Sequence, residues 1–242
     1  MARQSGAGSD LVVMTGNGRI SRERAICGWV GRMGAVEVGH IQRRWGVCRS
    51  VAYDLVGRLV EARLLQRVAT LPGDPTLITV TSDGIDYARL ALPQAKVGPG
   101  QVDHWLSCAD VVLWAEERWG CGAVTTEREL RWIEQAEGRP VGSCVVGELP
   151  DGRPMLHRPD LLVSGRADRI AIEVELSVKT PKRLEAIVRS WRRARHLDEV
   201  LYLVATGPPQ RAVERAVRKA HAEERVHVVE LEGISLRTGN GH

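Results

Sequence analysis

Hydrophobic positions in the first third of the chain recur at the three- and four-residue spacing of amphipathic helices. The first 20 residues are rich in Gly, Ser and Ala and predict a flexible arm. After this arm, Ile26, Trp29 and Met33 form the apolar stripe of a first helix. Two further stripes predict a short second helix over residues 35–45 and a third helix that begins near Ser50.

A turn-rich stretch after the third helix predicts a β-hairpin. The runs 66–69 and 77–81 flank the sequence Leu-Pro-Gly-Asp-Pro-Thr, which favours a tip between two strands. The segment 93–101 is rich in proline and glycine and is typical of a linker. We therefore predict an arm (1–20), a helical domain with a hairpin (21–92), a linker (93–101) and a second domain (102–242).

The second domain alternates helical and strand patterns. The apolar spacing predicts a helix over 102–119, and Thr125 or Thr126 followed by glutamates predicts the start of another. Aliphatic runs then predict a β-hairpin, followed by helices and strands in alternation. The predicted hairpin strands are 155–163 and 170–176, and the later elements are a helix (181–196), a strand (200–205), a helix (209–223) and a strand (226–231). This order predicts an α/β domain (α+β for the whole chain) with a central mixed sheet and at least one parallel crossover.

Composition narrows the class of protein. Hydrophobic residues make up 43% and charged residues 26% of the chain, as in globular proteins. No run approaches the roughly 20 apolar residues of a membrane span, so we expect a cytoplasmic protein without a membrane partner. The five cysteines are scattered without zinc-knuckle spacing and predict buried thiols rather than disulfides or a zinc site.

The net charge of +4 is unevenly distributed. Residues 1–95 hold 12 arginines against 8 acidic residues, while the remainder holds 22 basic and 22 acidic residues. The whole excess of positive charge therefore lies in the first helical domain, where it favours contact with a polyanion.

The first domain resembles the winged helix-turn-helix family over residues 22–92, most clearly in the sequence GVCRSVAYDLVGRLVEARLLQRV. The resemblance implies that the third helix enters the major groove of double-stranded DNA with its first residues at base edges. The candidate DNA-binding residues are Arg43, Arg44, Arg49, Ser50, Tyr53 and Arg58. Such domains also serve as protein-interaction or dimerisation modules, and arginines on a helix are often only solvated, so this alternative stays open.

Three carboxylates stand out in the second domain. Asp160 falls in the first predicted hairpin strand, and Glu173 and Glu175 fall in the second. Side chains alternate along a strand, so the two glutamates share one face of an otherwise apolar strand. Neighbouring buried carboxylates repel each other and need positive charge. A divalent cation such as Mg²⁺, which prefers oxygen ligands, supplies it.

The pattern Pro159-Asp160 followed by Glu173-Val174-Glu175 resembles the PD-(D/E)XK nuclease superfamily. This resemblance implies a divalent-metal-dependent DNA endonuclease using Mg²⁺ or Mn²⁺, with Asp160 and Glu173 as metal ligands. Glu175 occupies the family's lysine position. The implied catalytic residues are Glu175 and Lys179, with Lys182 also available, and the metal ligand from an upstream helix is Glu129 or Glu127, with Glu116 or Glu117 behind them.

Structural interpretations stand beside these functional ones. Glu173 and Glu175 would then be edge-strand residues paired with Arg158, Arg166 or Arg169, and His157 would be a hydrogen-bonded structural residue. The helix after the hairpin carries a basic face that either follows a phosphate backbone or is simply the exposed side of a packed helix. Its DNA-binding candidates are Lys182, Arg183, Arg189, Arg192 and Arg193.

The two domains together, with HRPDLLV and AIEVELSVKTPKRL in the second, are similar to the replication-relaxation family of actinobacterial plasmids and mobile elements over residues 22–205. This implies a role in replication or mobilisation near the nucleoid or a plasmid, with a homodimer and replication or mobilisation proteins as expected partners. Three hypotheses remain. The first is a DNA phosphodiesterase targeted by its winged helix, and the second is a non-catalytic DNA-binding regulator whose nuclease-like fold serves dimerisation or DNA clamping. The third is a scaffold that recruits a replication enzyme through the α/β domain.

Overall fold

The computed structural model describes residues 13–15, 18–165 and 168–233. The chain divides into two compact units, Met1–Pro99 and Gly100–His242. The boundary falls within the predicted linker, residues 93–101, and Ala95 in this segment is buried. The described residues combine eight α-helices with a central mixed sheet, so the molecule is of the mixed α/β kind.

The first unit contains a strand pair, three helices, a hairpin and a fourth helix. These elements are β1 (Val13–Thr15), β2 (Gly18–Ile20), α1 (Arg22–Met33), α2 (Val38–Trp45), α3 (Arg49–Glu61), β3 (Leu65–Val68), β4 (Leu77–Val80) and α4 (Ser82–Ala88). Strands β1 and β2 pair antiparallel inside the segment predicted to be a flexible arm. That prediction missed the pair, and the remainder of the arm lies outside the described residues.

Local chemistry determines where the helices of the first unit begin and end. Ser21 caps α1, because its hydroxyl oxygen accepts a hydrogen bond from Arg24 N at 3.2 Å. Helix α2 begins three residues later than predicted, because Val36 is extended and exchanges two backbone hydrogen bonds with Ile78 in β4. Gly46 ends α2 with φ of 59°, which suits glycine.

The described residues of the second unit form four α-helices and seven strands. They are α5 (Val102–Trp119), β5 (Val124–Thr126), α6 (Glu127–Glu137), β6 (Cys144–Glu148), β7 (Pro154–His157), β8 (Leu161–Ser164), β9 (Arg169–Glu175), α7 (Pro181–Arg193), β10 (Glu199–Val204), α8 (Pro208–Ala220) and β11 (Val226–Glu230). The predicted helices of this domain are all present, and the predicted later strands are confirmed to within a residue.

Five strands form the central sheet in the order β11-β10-β9-β8-β5. Strand β9 pairs antiparallel with β8 and parallel with β10, and β10 pairs parallel with β11. Helices α7 and α8 make the two parallel crossovers, which confirms the predicted mixed sheet. Strand β9 therefore lies at the centre of the sheet and is covered on both faces, and its residues from Ala171 to Glu175 are buried.

The predicted strand 155–163 was wrong in one respect. The segment forms two strands and not one. Strand β7 pairs with β6 in a separate two-stranded sheet, and β8 pairs with β9 in the central sheet. The break falls at Arg158, Pro159 and Asp160, where proline has no N–H group to donate to a neighbouring strand. Asp160 therefore lies just before β8 and not within a strand.

The core of the second unit lies between the sheet and helices α7 and α8. Its largest members include Trp191, Tyr202, Leu184 and Leu130, all almost fully buried. Helix α5 contacts the sheet at β5, β8 and β9, next to the carboxylates. Among the described residues, no helix is long and apolar enough to cross a membrane.

Candidate functional site

Asp160 is held by three parts of the second unit. Its Oδ2 accepts a hydrogen bond from Val174 N in β9 at 2.7 Å, and its Oδ1 lies 3.0 Å from Nε2 of His104 on α5. Its carbonyl oxygen accepts from Glu127 N at the start of α6, at 2.8 Å. The side chain keeps 14% of its surface exposed. The carboxylate is thus fixed in position and still open to solvent.

Glu173 lies in the middle of β9 with only 3% of its surface exposed. His157, at the end of β7, donates from Nε2 to Glu173 Oε1 at 2.7 Å. Burial raises the pKa of Glu173, and the charge of His157 only partly offsets this effect. Burial opposes protonation of His157, but the charge of Glu173 raises its pKa overall. His157 and Glu173 therefore form a buried, hydrogen-bonded pair next to the central sheet.

Glu175, at the end of β9, is 4% exposed and pairs with Lys179. The Lys179 Nζ atom lies 2.5 Å from Glu175 Oε2. Burial disfavours the ammonium ion, but the charges of Glu173, Glu175 and Asp160 outweigh it and raise the pKa of Lys179. Lys179 therefore stays positively charged near neutral pH.

The structure brings four of the residues singled out from the sequence into electrostatic contact. The negative charges of Asp160, Glu173 and Glu175 all act on Lys179. Glu129, the candidate metal ligand from the upstream helix, is hydrogen-bonded elsewhere. Its Oε2 accepts from Thr126 N at 2.9 Å and from Thr126 Oγ1 at 3.1 Å. This is the capping box that begins α6.

Glu127 is the other residue of α6 that the sequence offered as a metal ligand, and its negative charge acts on side chains of the site. It raises the pKa of both His104 and Cys108, as a minor contribution in each case. Its side chain pairs with Arg131 at 2.6 Å on the exposed side of the helix. Glu127 is therefore the acidic residue of α6 that neighbours Asp160. The Glu129 carboxylate forms the capping box at the start of α6.

Sequence reasoning missed two residues of the site, His104 and Cys108. They lie one helical turn apart on α5, and Cys108 Sγ is 3.5 Å from His104 Nε2. Among the described residues, one group of three potential metal-ligating side chains has all its ligand atoms within 4.8 Å, and it consists of His104, Cys108 and Asp160. The His-x₃-Cys spacing within an amphipathic helix was the available signal.

The five cysteines form no disulfide, as the sequence predicted. Cys27 and Cys144 are buried, and Cys108 is half-buried. Cys48 and Cys121 are exposed, so the prediction of five buried thiols was wrong for them. Burial, together with nearby negative charge, raises the pKa of Cys108 well above its usual value. In the absence of a metal Cys108 is therefore a thiol and a poor nucleophile.

The alternative that Glu173 and Glu175 are edge-strand residues paired with arginines does not hold. Strand β9 is central, and the observed partners are His157 and Lys179. Arg169 instead donates to the carbonyl oxygen of Val141 at 2.8 Å. The other two arginines considered were Arg158, which pairs with Glu134 at 2.9 Å, and Arg166, which lies outside the described residues.

Glu134, on α6, is a buried carboxylate that the sequence analysis did not single out. Its Oε1 accepts from the backbone N–H groups of Val141, Gly142 and Ser143, and its Oε2 accepts from Ser143 Oγ at 2.7 Å. Burial by itself would raise the pKa of Glu134, but these hydrogen bonds lower it overall. The ionised Glu134 carboxylate thus holds the loop between α6 and β6 in place through these hydrogen bonds.

The basic candidates of α7 have mixed surroundings. Lys182 and Arg183 are exposed in its first turn. Arg189 pairs with Glu185 at 3.4 Å, and Arg192 donates to the carbonyl oxygen of Ala220 at 3.1 Å. A groove of about 490 Å³ is lined by Arg189, Arg192, Arg193 and Arg195. The apolar side of α7 is packed in the core, so α7 is both a packed helix and a basic surface.

The DNA-binding candidates of the first unit lie on α2 and α3. Arg49 and Ser50 begin α3 and are exposed, and Tyr53 is 46% exposed. The Arg49 guanidinium carbon lies 5.5 Å from the centre of the Tyr53 ring. Arg43 and Arg58 are exposed and Arg44 is half-buried. The first turn of α3 therefore presents a cation and an aromatic ring to solvent.

The chain matches no protein-family model, no curated protein and no solved structure. The winged helix-turn-helix, PD-(D/E)XK and replication-relaxation resemblances therefore rest on the sequence motifs alone.

Proposed function

We propose that this protein binds DNA and that its second unit is a PD-(D/E)XK-like, metal-dependent DNA phosphodiesterase. The observation that carries the proposal is the grouping of Asp160, Glu173 and the Glu175–Lys179 pair across the start of β8 and the end of β9. A phosphodiesterase of this kind needs carboxylates for a metal and a cation for the developing negative charge of the phosphate. Both are present within one group of residues.

The departure from the family pattern has a structural counterpart that supports the proposal. Glu175 stands at the family's lysine position, and its carboxylate pairs with the ammonium group of Lys179 four residues further on. The positive charge that the family places on β9 is supplied here from the loop after it. We infer that Glu175 positions Lys179, and that Lys179 donates to a phosphate oxygen or orients the attacking water.

The carboxylates fit a hard divalent cation. Asp160 and Glu173 would hold Mg²⁺ or Mn²⁺, because both offer oxygen ligands and their combined negative charge lies in a largely buried setting. Such an ion, when bound, stabilises charge on a phosphodiester and lowers the pKa of a bound water. Within the chain, Val174 N fixes the Asp160 carboxylate, and His157 holds Glu173 in the sheet.

We further propose that the first unit is a winged helix-turn-helix that delivers the second unit to double-stranded DNA. Three features support this assignment: the order α1, α2, α3 and hairpin, the backbone pairing of Val36 with Ile78, and the exposed first turn of α3. Arg49, Ser50 and Tyr53 would contact base edges, and the arginine-lined groove of α7 would contact phosphates. The role would lie in replication or mobilisation of a plasmid or mobile element.

Incubation of the full chain with supercoiled, linear and single-stranded DNA tests the proposal. We expect conversion of at least one of these DNAs when Mg²⁺ or Mn²⁺ is added and none in excess EDTA. If all three DNAs remain intact with either metal, the phosphodiesterase assignment is wrong.

A second candidate, a non-catalytic DNA-binding regulator, is favoured by one observation. Each of the three carboxylates already has a basic partner in the fold, so their negative charge can be balanced without a metal ion. The pairs are His157–Glu173, His104–Asp160 and Lys179–Glu175. In this case the nuclease-like unit would serve homodimerisation or DNA clamping. The regulator predicts equal DNA affinity with Mg²⁺ and with EDTA, protection of a defined palindromic site, and no cleavage.

A further inference from the structure

We propose that His104, Cys108 and Asp160 form a binding site for a thiophilic divalent transition-metal ion of the Zn²⁺ class. The three ligand atoms are a nitrogen, a sulfur and an oxygen, and they lie within 4.8 Å of one another. The inference concerns binding of the ion alone and stands whether or not the second unit cleaves DNA.

The same three residue types also form catalytic triads, but the atoms that meet here exclude a proton relay. In a relay, the thiol and the carboxylate contact opposite nitrogens of the imidazole ring. In this structure both Cys108 Sγ, at 3.5 Å, and Asp160 Oδ1, at 3.0 Å, face the same atom, His104 Nε2. Three potential ligand atoms within 4.8 Å of one another suit a metal centre instead.

The nitrogen–sulfur and nitrogen–oxygen distances are close to those around a tetrahedral ion. With bonds of about 2.0–2.2 Å to nitrogen and oxygen and about 2.3 Å to sulfur, tetrahedral angles place nitrogen and sulfur about 3.6 Å apart and nitrogen and oxygen about 3.4 Å apart. The observed nitrogen–sulfur distance is 3.5 Å and the nitrogen–oxygen distance is 3.0 Å. The ion thus requires the carboxylate to move outward by about 0.4 Å, which replaces a hydrogen bond with two metal bonds.

The surrounding chain prearranges these ligands. His104 and Cys108 lie on one face of α5, four residues apart, as in other helical metal sites. The second oxygen of Asp160 accepts from Val174 N, the kind of supporting hydrogen bond that orients a metal ligand. The His104 side chain is 43% exposed, so solvent reaches the site and water can complete the coordination.

The sulfur ligand determines which ion is bound. Mg²⁺ and Ca²⁺ prefer oxygen ligands, whereas thiolate with imidazole selects Zn²⁺, Co²⁺ and similar ions. Binding of such an ion displaces the thiol proton of Cys108. We therefore expect a site that discriminates strongly against Mg²⁺.

Titration of the reduced full-length chain with Co²⁺ tests the inference, because a cobalt–thiolate bond gives a near-ultraviolet charge-transfer absorption band. We expect this band to saturate at one equivalent of Co²⁺, to be lost when Zn²⁺ is added, and to persist in excess Mg²⁺. The Cys108→Ser variant should lack the band. Cys121→Ser, which removes an exposed thiol of the same unit, should retain it.

His104→Ala provides a second, independent variant at a partly exposed position. We expect it to weaken Co²⁺ binding by at least about 100-fold, while its circular dichroism spectrum stays that of the unsubstituted protein. Absence of the band in the unsubstituted protein would overturn the inference. So would a band that persists in Cys108→Ser, or an unchanged Co²⁺ affinity in His104→Ala.

Discussion

At the scale of single residues, the Glu175–Lys179 pair decides how the site is interpreted. A glutamate at a position where a nuclease carries lysine would by itself indicate a lost activity. Its carboxylate, however, lies 2.5 Å from the Lys179 ammonium, and the neighbouring carboxylates raise the pKa of that lysine. If the proposed nuclease assignment is correct, Lys179 supplies the positive charge that the family's lysine carries, from a position four residues later.

This interpretation predicts that Lys179→Met lowers the rate of DNA cleavage by about 100-fold or more, because a preorganised donor to the reacting phosphate is removed. Lys219→Met is the matched control, since Lys219 is an exposed lysine of α8 that pairs with Glu185. Cleavage rates at saturating metal measure the effect. Equal rates for Lys179→Met and Lys219→Met would remove Lys179 from the active site.

At the scale of secondary-structure elements, Glu134 ties α6 to the loop that leads into β6. Its side chain is 1% exposed and pairs with Arg158 in addition to its four hydrogen-bond donors. A buried carboxylate with this many donors stabilises the fold in its ionised form. Because Arg158 directly precedes Pro159 and Asp160, the same network supports the segment that carries the site.

We predict that Glu134→Gln lowers the free energy of unfolding by about 2 kcal/mol at neutral pH. Glu137→Gln, on the exposed side of α6, should change it by less than about 0.5 kcal/mol. The hydrogen bonds lower the pKa of Glu134 in the folded chain, so the stabilisation is complete above the carboxyl pKa of the unfolded chain. It is lost as the pH falls through the folded-state pKa.

Urea unfolding at neutral and at acidic pH measures this difference. The gap between the unsubstituted protein and Glu134→Gln should narrow in acid, because a protonated glutamate resembles glutamine. A gap of the same size at both pH values would show that Glu134 does not act through its charge.

The sequence predicted elements with strong local signals better than those that depend on distant contacts. Helix α5 and the Pro181 start of α7 follow the expected apolar spacing, and both are found where predicted. The β6–β7 hairpin was missed because most of its residues are exposed and show no alternation of apolar and polar positions. The short β5 was missed because its partner, β8, lies far along the chain. The same reason explains the missed ligands: His104 meets Asp160 across 56 positions of sequence.

At the scale of the whole molecule, the distribution of charge is more informative than its total. The excess of arginine lies in the first 95 residues, while the second unit sets a basic helix near a group of carboxylates within a neutral total. Each unit carries one part of the proposed function. We propose that the first unit supplies contacts to DNA bases, and that the second supplies carboxylates, the Lys179 ammonium group and phosphate contacts along α7.

DNA affinity should therefore depend on the first unit. We predict that Arg49→Ala weakens binding to duplex DNA by about 1–3 kcal/mol if Arg49 contacts a base. Arg139→Ala removes an exposed arginine of the second unit that pairs with Glu137, and it should leave the affinity unchanged. Fluorescence anisotropy at a fixed, moderate salt concentration compares the two variants. Equal affinities would move the DNA-binding surface away from α3.

The central claim is that Asp160 belongs to a metal-dependent phosphodiesterase site, and the most direct test is the cleavage of DNA by Asp160→Asn beside the unsubstituted protein. The account predicts metal-dependent cleavage by the unsubstituted protein, and a rate at least about 100-fold lower for Asp160→Asn, with DNA affinity retained. Cleavage by Asp160→Asn at the rate of the unsubstituted protein, or no cleavage by either, would contradict it.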